Sequence, residues 1–453
     1  MKSIECKNPY NGEVMGTYTL HDEKEVSTAL TKSEKVFCEW KKVPLEERIH
    51  YLNKLSALLQ HNKMNYAKLV TLEMGKPITE SIAEIEKCAW LCQFYEKNAQ
   101  QFLADELIET NAHESFISYD PLGCILGIMP WNFPFWQVFR FAVPTMTAGN
   151  TVLLKHASNV SGCANTLERL FNDAGYPEFC FQTLFVDHNL VEKVISDDVV
   201  KAISLTGSEK AGKAIASIAG KHLKKTVLEL GGNNACVVWE DADLEKYMDI
   251  MVKARMQNTG QSCIAAKRFI VVEAIYDDFM EIFKEKVRKL VSGNPMDEKT
   301  EIGVLAREDL AETLEDQVQS SLKKGAKLVF GNERKGTYYE PTIIEQVASG
   351  MPAFEEELFG PVAAVVKAND RADSLQKLAD SRFGLGTMLF TEDIEEAKKM
   401  VGTIPDGSFF INEMVKSDPR LPFGGTKASG YGRELSREGI HEFVNKKTVY
   451  INK

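Results

Sequence analysis

Features that would place this chain in a specialised class are absent or weak. It has no low-complexity tract and no long uninterrupted apolar run. The most apolar stretch, residues 124–149, contains three prolines, Asn132 and Arg140, whereas a membrane span needs roughly 20 consecutive apolar residues. The N-terminal sequence MKSIEC lacks the apolar core of a secretory signal. We therefore expect a cytoplasmic protein without a membrane partner.

Positive charge is in deficit. The 453 residues include 54 Lys and Arg against 65 Asp and Glu, which gives a net charge of -11. Because binding of nucleic acid requires a basic face, this balance argues against a nucleic-acid partner. The composition, 44% hydrophobic and 26% charged, is typical of a soluble globular protein, and the length predicts two or three domains.

The nine cysteines are scattered, and no two of them have the spacing of metal ligands, so we predict no metal site. Cys88 and Cys92 lie four residues apart in a helical pattern, and small core side chains are their simplest interpretation. Unpaired thiols at this density fit a reducing compartment.

Helical and strand patterns alternate along the chain. Residues 23–101 are mostly helical by period, clearly so at 46–62. Further helices are predicted at 164–174, 207–218, 244–257, 276–291 and 308–324. Strands are predicted at 114–119, 123–129, 151–155, 183–186, 202–206, 225–230, 235–239 and 268–273, with a weak edge strand at 443–450. This alternation predicts an α/β fold with a parallel, doubly wound sheet, which binds ligands beyond the carboxyl ends of its strands.

Cys263 closes the run NTGQSC, residues 258–263. Its small and polar neighbours leave the sulfur approachable, and a thiolate is a strong nucleophile whose pKa falls near backbone dipoles or cations. A lone buried cysteine is more often inert packing. The residues alone leave both interpretations open.

Two polar residues upstream offer complementary chemistry. Glu229 ends an apolar strand before Gly231 and Gly232; it is either a solvated strand-end carboxylate or a general base whose pKa is raised by burial. Asn132 lies between Trp131 and Phe133. Its amide either caps a turn or donates to a developing oxyanion.

The run GSEKAG, residues 207–212, lies at a strand-to-helix junction without forming the GxGxxG fingerprint. Gly207 permits a tight turn, Ser208 can cap the helix, and the exposed N–H groups attract phosphate. Lys155, at a strand end, can meet a ribose or phosphate, although a solvated lysine is the commoner outcome there.

Two later loops are candidates for ligand contact. The run EEELFGP, residues 355–361, is either solvated acidic surface or a ribose site in which Glu357 accepts and Phe359 supports a flat ring. The run PFGG, residues 422–425, can bring an aromatic side chain and flexible backbone to a pocket.

In order and spacing these motifs resemble the aldehyde dehydrogenase superfamily along essentially the whole chain. The matching runs are PWNFP (130–134), Gly207-Ser208 with Gly212, LELGG (228–232), NTGQSC (258–263), ELFGP (357–361) and PFGG (422–425). Each run alone is modest evidence, but the ordered set is specific. Residues 129–159 and the tail GYGRELS (430–436) are most similar to bacterial succinate-semialdehyde dehydrogenases.

The resemblance implies a role for each candidate. Cys263 would be the nucleophile, Glu229 the base for deacylation, and Asn132 with the Cys263 backbone N–H the oxyanion hole. The cofactor would be NAD or NADP, bound by Met129, Trp131, Lys155, Ser158, Gly207, Ser208, Gly212, Leu230, Glu357 and Phe359. Many NAD-preferring relatives have a glutamate three residues after the lysine, where this chain has Ser158, so both cofactors stay open.

The resemblance also implies the domain organisation. A Rossmann-type dinucleotide-binding domain would comprise residues 1–102 and 122–231, and an α/β catalytic domain residues 232–428. A small β flap for oligomerisation would comprise residues 103–121 and 429–453. Members of the family are homodimers or homotetramers.

The implied reaction is the oxidation of an aldehyde to a carboxylic acid through a cysteine thioester, with succinate semialdehyde giving succinate. In the similar subgroup an arginine eight residues after the oxyanion asparagine grips the substrate carboxylate, and Arg140 has that position. Ser417 and Phe423 complete the implied substrate site. The alternative is that Arg140 forms a structural ion pair with a carboxylate of the protein. Some relatives carry a second arginine where this chain has Gln257, which weakens the case for strict carboxylate specificity.

Other functions remain as alternatives. The first is a broad-specificity aliphatic aldehyde dehydrogenase. A second, a CoA-acylating semialdehyde dehydrogenase, is disfavoured because the Glu229 position is typically not acidic in that branch. A catalytically idle relative conflicts with the joint presence of Cys263, Glu229 and Asn132. A thiol hydrolase would need a histidine beside the cysteine, and the only histidine in the motifs is His156.

Overall fold

Short strands and amphipathic helices alternate through the chain. The structure, a computed structural model, describes residues 2–453. The strands are β1 (Ser3–Lys7), β2 (Val14–Thr19), β3 (Glu106–Leu107), β4 (Glu114–Pro121), β5 (Cys124–Met129), β6 (Thr151–His156), β7 (Phe181–Thr183), β8 (Val200–Thr206), β9 (Lys225–Glu229), β10 (Ala235–Val238), β11 (Arg268–Val272), β12 (Lys327–Phe330), β13 (Arg334–Lys335), β14 (Tyr338–Tyr339), β15 (Thr342–Glu345), β16 (Val362–Ala368), β17 (Phe383–Gly384), β18 (Thr387–Phe390), β19 (Phe409–Ile411), β20 (Thr426–Lys427), β21 (Gly430–Tyr431) and β22 (Val444–Ile451). The α-helices are α1 (Glu23–Trp40), α2 (Leu45–His61), α3 (Lys63–Met74), α4 (Ile78–Phe102), α5 (Trp136–Thr147), α6 (Ser161–Asp173), α7 (His188–Ser196), α8 (Glu209–Lys221), α9 (Leu244–Met256), α10 (Tyr276–Arg288), α11 (Glu308–Lys323), α12 (Pro352–Glu355), α13 (Arg371–Ala379), α14 (Ile394–Lys399) and α15 (Ser436–His441).

Two large sheets form the framework. The first has the strand order β21-β9-β8-β5-β6-β7 and is parallel except for β21. The second has the order β12-β15-β16-β11-β10-β18-β19 and is parallel except for β12. Their central strands are almost wholly buried, as expected where helices cover both faces of a parallel sheet. The predicted α/β class is confirmed.

The two sheets meet edge to edge at the site. β5, β6, β8 and β9 run parallel, so their carboxyl ends share one edge. β11 and β16 of the second sheet begin just after the segments that carry Cys263 and Glu357. The amide of Asn234, immediately before β10, donates to the backbone oxygens of Cys263 and Ala265, at 2.6 and 3.1 Å. Residues at the carboxyl ends of β5, β8 and β9 line one cavity together with Cys263 and Glu357, which precede β11 and β16.

A three-stranded antiparallel sheet, in the order β22-β4-β3, stands apart from both. The weakly alternating tail is indeed an edge strand. The expected flap segment 429–453 is divided, however, because β21 pairs with β9 of the first large sheet, with Gly430 opposite Glu229. A Cβ on Gly430 would overlap the Leu228 carbonyl, so only glycine permits this close pairing.

One predicted strand is wrong in position. The apolar run 183–186 was expected to be a strand, but β7 covers Phe181–Thr183. Leu184 still donates to Leu154 at 2.7 Å, after which Phe185 leaves the sheet. The Phe185 carbonyl accepts from His21 N–H at 2.7 Å, and its ring packs on Tyr18. Phe185 thus packs against the N-terminal hairpin, while Leu184 and Val186 stay in the core beside the first sheet.

Within residues 2–453, none of the helices combines the length and apolar character that crossing a membrane requires.

Candidate active site

The loop before Cys263 has an unusual backbone. Asn258, Thr259 and Gly260 all have left-handed conformations, with φ of 59°, 54° and 70°. Non-glycine residues in this region store roughly 1–3 kcal/mol each and persist only where their surroundings fix them. The Asn258 amide donates to the carbonyls of Asn132 (3.0 Å) and Gln261 (2.9 Å), and the Thr259 hydroxyl accepts from Gly303 N–H at 3.0 Å. The loop is therefore held rigidly.

Cations surround the backbone of Cys263. Lys267 Nζ donates to the carbonyl oxygens of Ser262 (2.7 Å) and Cys263 (2.8 Å) and pairs with Glu357 at 2.9 Å. Burial raises the pKa of the Cys263 thiol to about 11, while the nearby charges of Arg140 and Lys267 lower it. The thiol is therefore largely protonated in the protein alone and becomes a nucleophile only when its proton is removed.

Asn132 lies next to the cysteine loop. It is buried, its Nδ2 donates to the Gln261 carbonyl at 3.0 Å, and its Oδ1 accepts from Gln137 at 2.9 Å. The amide orientation is thus fixed with one Nδ2 hydrogen still available. Among residues 2–453 the backbone N–H of Cys263 has no recorded acceptor. Both predicted oxyanion donors are present on the wall of one cavity, which is lined by Asn132 and Cys263 together.

Glu229 is buried and carries no hydrogen bond on either carboxylate oxygen among the described residues. Burial raises its pKa well above the usual range, and the neighbouring carboxylate of Glu434 adds to this, while Arg140 and Arg433 oppose it. Its Oε1 lies beside Gly424. Glu229 does not line either of the two cavities that contain Cys263 in their walls, but its charge acts on the Cys263 thiol. A buried carboxylate with raised pKa is suited to general-base work near neutral pH.

A cavity of about 800 Å³ opens at the shared edge of the first sheet. Of the ten residues predicted to bind a dinucleotide, eight line it: Met129, Trp131, Lys155, Gly207, Ser208, Leu230, Glu357 and Phe359. Trp131 and Phe359 pack edge to face, with ring centroids 5.7 Å apart. This size suits an extended ligand.

The other two predicted residues do not line the cavity. Ser158 is exposed at the start of a 3₁₀ turn (Ser158–Val160) beside Ala157, which does line it. Gly212 is buried against Leu230, where a Cβ would stand 2.6 Å from Leu230 Cδ2. Its lack of a side chain lets α8 approach the strand end closely, so its contribution is packing.

The residues of the large cavity fit a nicotinamide dinucleotide. Ser208 Oγ accepts from Ala211 N–H at 3.2 Å and caps the 13-residue helix α8, whose N-terminal N–H groups favour phosphate. Lys155 is largely buried, and burial lowers its pKa. Glu357 holds its place by accepting from Gly232 N–H at 3.1 Å. A phosphate at the helix end and a ribose near Glu357 both match these groups.

A second, smaller cavity of about 140 Å³ also has Cys263 in its lining. It is lined by the three predicted substrate residues, Arg140, Ser417 and Phe423. Arg140 is buried, its Nε donates to Glu434, and its Nη2 donates to Thr206 at 3.2 Å. The expected alternative, a structural ion pair, is thus present, yet the same guanidinium still faces the cavity.

Several residues at the site were not predicted from sequence. They are Lys87, Lys267 and Glu434, together with Arg255, whose Nη2 donates to the Gly260 carbonyl at 2.6 Å. Lys87 had a usable signal, since it lies on the same face of α4 as buried Glu84 and Leu91. For Glu434 the sequence offered no signal other than its place in the tail motif, because its partner Arg140 is 294 residues away.

The model of the aldehyde dehydrogenase family matches residues 1–449. The chain belongs to the aldehyde dehydrogenase family. The prediction of an enzyme that oxidises aldehydes is confirmed, and so is the predicted fold.

Three similar proteins illustrate the relationship. A protein of Synechocystis sp. named "Probable succinate-semialdehyde dehydrogenase [NADP(+)]" is 45% identical over 452 residues, which cover 99% of this chain and 100% of that protein. The succinate semialdehyde dehydrogenase [NAD(P)+] of Escherichia coli is 43% identical, over 98% of this chain and 96% of that protein. The structure of succinic semialdehyde dehydrogenase from Streptococcus pyogenes with NADP+ has a TM-score of 0.97 at 36% identity, over 99% of this chain and 100% of that one.

Proposed function

We propose that this aldehyde dehydrogenase oxidises a short aldehyde with a distal carboxylate, succinate semialdehyde above all, to the corresponding acid with NADP+. The observation that carries the proposal is the cavity of about 140 Å³ that is lined by both Cys263 and Arg140. A chain of a few carbons can place its aldehyde at the sulfur and its carboxylate at the guanidinium. The names of the three relatives support this substrate.

The Arg140 guanidinium retains N–H groups that can donate hydrogen bonds to a substrate. Its Nε and Nη2 contact Glu434 and Thr206, while Nη1 has no partner among residues 2–453. The Phe423 ring packs under the guanidinium, 4.6 Å from its carbon, and fixes its plane. A fixed guanidinium with a remaining N–H edge is well suited to a carboxylate.

The chemistry follows from the positions of the side chains. Cys263 loses its proton to solvent and its sulfur adds to the aldehyde carbon, while Asn132 Nδ2 and the Cys263 N–H donate to the oxyanion. A bound nicotinamide dinucleotide supplies the hydride acceptor, and the substrate remains on Cys263 as a thioester. Glu229 then takes a proton from the water that hydrolyses the thioester and releases the acid.

NADP+ is the cofactor that the charges favour. Three Lys and Arg side chains, Lys155, Lys210 and Arg307, line the large cavity against one carboxylate, Glu357. An additional phosphate on the ribose would meet positive rather than negative charge there. We expect Ser158→Glu to lower kcat/KM for NADP+ at least about tenfold more than for NAD+; equal losses would contradict the proposal.

A steady-state panel tests the substrate. We expect kcat/KM for succinate semialdehyde to exceed that for butanal about 10- to 100-fold, as a charged hydrogen bond predicts. Arg140→Met is expected to remove this preference. Glu434→Gln is the matched control, since it breaks the buried ion pair but keeps the guanidinium, and the preference should persist. Equal kcat/KM for both aldehydes in the wild type would favour the second candidate, a broad-specificity aliphatic aldehyde dehydrogenase. That function is also compatible with the apolar part of the cavity wall, which is formed by Phe133, Trp136 and Val415.

We also propose a homo-oligomer, either dimer or tetramer, built through the three-stranded sheet. Leu107, Tyr450 and Ile451 of this sheet are large apolar residues that stay exposed, and β22 leaves one edge unpaired. We propose the same division into domains that the resemblance implied, except that the C-terminal part of the flap comprises only β22. Light scattering coupled to size-exclusion chromatography measures the state, and a monomer at micromolar concentration would contradict it.

A further inference from the structure

Lys87 on α4 lines the same small cavity as Arg140 and Cys263. Its Nζ donates to Ser417 Oγ at 2.8 Å and lies 4.3 Å above the ring of Trp136. A second cation therefore faces the substrate cavity from a different helix than the first.

This ammonium has no carboxylate partner. No salt bridge of Lys87 occurs within residues 2–453, although acids are near. The Glu84 carboxylate pairs with Lys76 and accepts hydrogen bonds from the backbone N–H groups of Phe135 and Trp136 at the start of α5. Asp418 pairs with Arg420 at 2.7 Å. Lys87 is half-buried, and an unpaired charge in such a place is costly to desolvate, so an anion in the cavity would relieve that cost.

Ser417 adds a third donor. Its Oγ accepts from Lys87 and, at 3.0 Å, from Trp136 Nε1. A hydroxyl has two acceptor lone pairs and one O–H. Because both lone pairs are used, the Ser417 hydroxyl is left with its proton to donate. The far end of the cavity thus presents donors from Arg140, Lys87 and Ser417, which match a carboxylate.

We infer that Lys87 is a second anchor for the substrate carboxylate and, with Arg140, sets the enzyme's preference for short aldehydes that carry one. This inference rests on the proposed function and adds a specificity residue to it. Gln257 also lines the cavity but is neutral, and Lys416 of the lining is paired with Glu413 at 2.8 Å, so the second unpaired positive charge comes from α4. The arrangement selects against aldehydes that carry an ammonium group, because two cations would repel it.

Substitution of Lys87 tests the inference. Lys87→Met keeps the length and apolar stem but removes the charge, and Lys87→Arg keeps the charge. Lys97→Met is the matched control, because Lys97 is an exposed lysine on the same helix. The measured quantity is kcat/KM for succinate semialdehyde divided by kcat/KM for butanal, with saturating NADP+.

Lys87→Met is expected to lower this ratio about tenfold or more, mainly through KM for succinate semialdehyde, while butanal oxidation and thermal stability change little. Lys87→Arg and Lys97→Met are expected to stay within about threefold of the wild type. An unchanged ratio in Lys87→Met, together with a lost preference in Arg140→Met, overturns the inference and leaves the proposed function standing. A wild type without preference for the carboxylate overturns both.

The pH dependence of the same ratio gives an independent readout. Burial, and then the charge of Arg140, lower the pKa of Lys87 to about 8, against opposing effects of Cys88, Asp418 and Glu84. The ammonium loses its proton as pH rises through this value, so the wild-type ratio should fall above about pH 8. The ratio of Lys87→Arg should stay level, since arginine keeps its charge. Identical profiles for the two proteins would overturn the assignment even if Lys87→Met fails to fold.

Discussion

Gly232→Ala probes how tightly the backbone of the nucleophile is held. A Cβ at residue 232 would stand 2.8 Å from the carbonyl oxygen of Cys263 and 3.1 Å from both Asn234 Oδ1 and Leu385 Cβ. The backbone of Gly232 does not have a positive φ, so the added methyl group brings overlap without conformational strain. The substitution therefore displaces one neighbour, the Cys263 peptide, against its hydrogen bonds.

The expected magnitude follows from those contacts. Overpacking a well-filled site costs about 1–3 kcal/mol, and here the Cys263 carbonyl is held by Lys267 at 2.8 Å and Asn234 at 2.6 Å. Relief of the overlap needs a movement of about half an ångström, and a 1 Å misplacement of a reacting group costs about 10²-fold in rate. We expect Tm to fall by at least about 2 °C and the acylation rate to fall at least about tenfold.

Rapid mixing measures the acylation rate as the burst of reduced nucleotide, and differential scanning at a fixed rate measures Tm. Gly220→Ala is the control, because no atom lies within 4 Å of its added Cβ and its φ is ordinary for a helix. That variant should keep its burst rate and gain slightly in stability. A normal burst rate in Gly232→Ala would refute the view that the cysteine backbone is rigidly held.

Three further outcomes are expected. Glu229→Gln should keep the burst of reduced nucleotide but lower the steady-state rate about 10²- to 10⁴-fold, because acylation survives and the base for thioester hydrolysis is lost; loss of the burst itself would contradict this role. In the nucleotide-free protein, alkylation of Cys263 by iodoacetamide should accelerate about tenfold per pH unit from pH 7 to 9, because burial raises the thiol pKa to about 11 and the thiolate fraction grows with pH. Cys263→Ala is the reference for alkylation of other cysteines. An alkylation rate that does not depend on pH would refute this expectation. Glu434→Leu should destabilise the protein by about 3–5 kcal/mol, since it leaves the Arg140 cation buried without its partner, and an unchanged urea midpoint would argue against a buried ion pair.

Local pattern accounted for most of the secondary structure. The strands at 124–129 and 268–272 and the helix at 45–61 lie within two residues of expectation, because burial on both faces or on one helical face imposes a visible period. The strand at 183–186 was misplaced because Phe185 leaves the sheet to pack on an N-terminal hairpin far away in sequence. No local pattern records such a partner.

The substrate end of the site shows the same limit. Arg140 was identified through its spacing from Asn132, but its pairing with Glu434 and its contact with Phe423 span 294 and 283 residues. Lys87 was overlooked although it shares a helical face with Glu84 and Leu91, because that spacing does not reveal which residues pack against it. Its significance arises only when Ser417 and Trp136 lie beside it.

The family, the candidate nucleophile and the order of the elements could all be predicted from the amino-acid sequence, since each depends on short runs whose chemistry or period is local. Tertiary structure alone decided which charges share a cavity, which carboxylate lacks a partner and how the cysteine backbone is held. Those properties depend on distances between residues hundreds of positions apart, and electrostatic and packing energies are set by such distances rather than by neighbours along the chain.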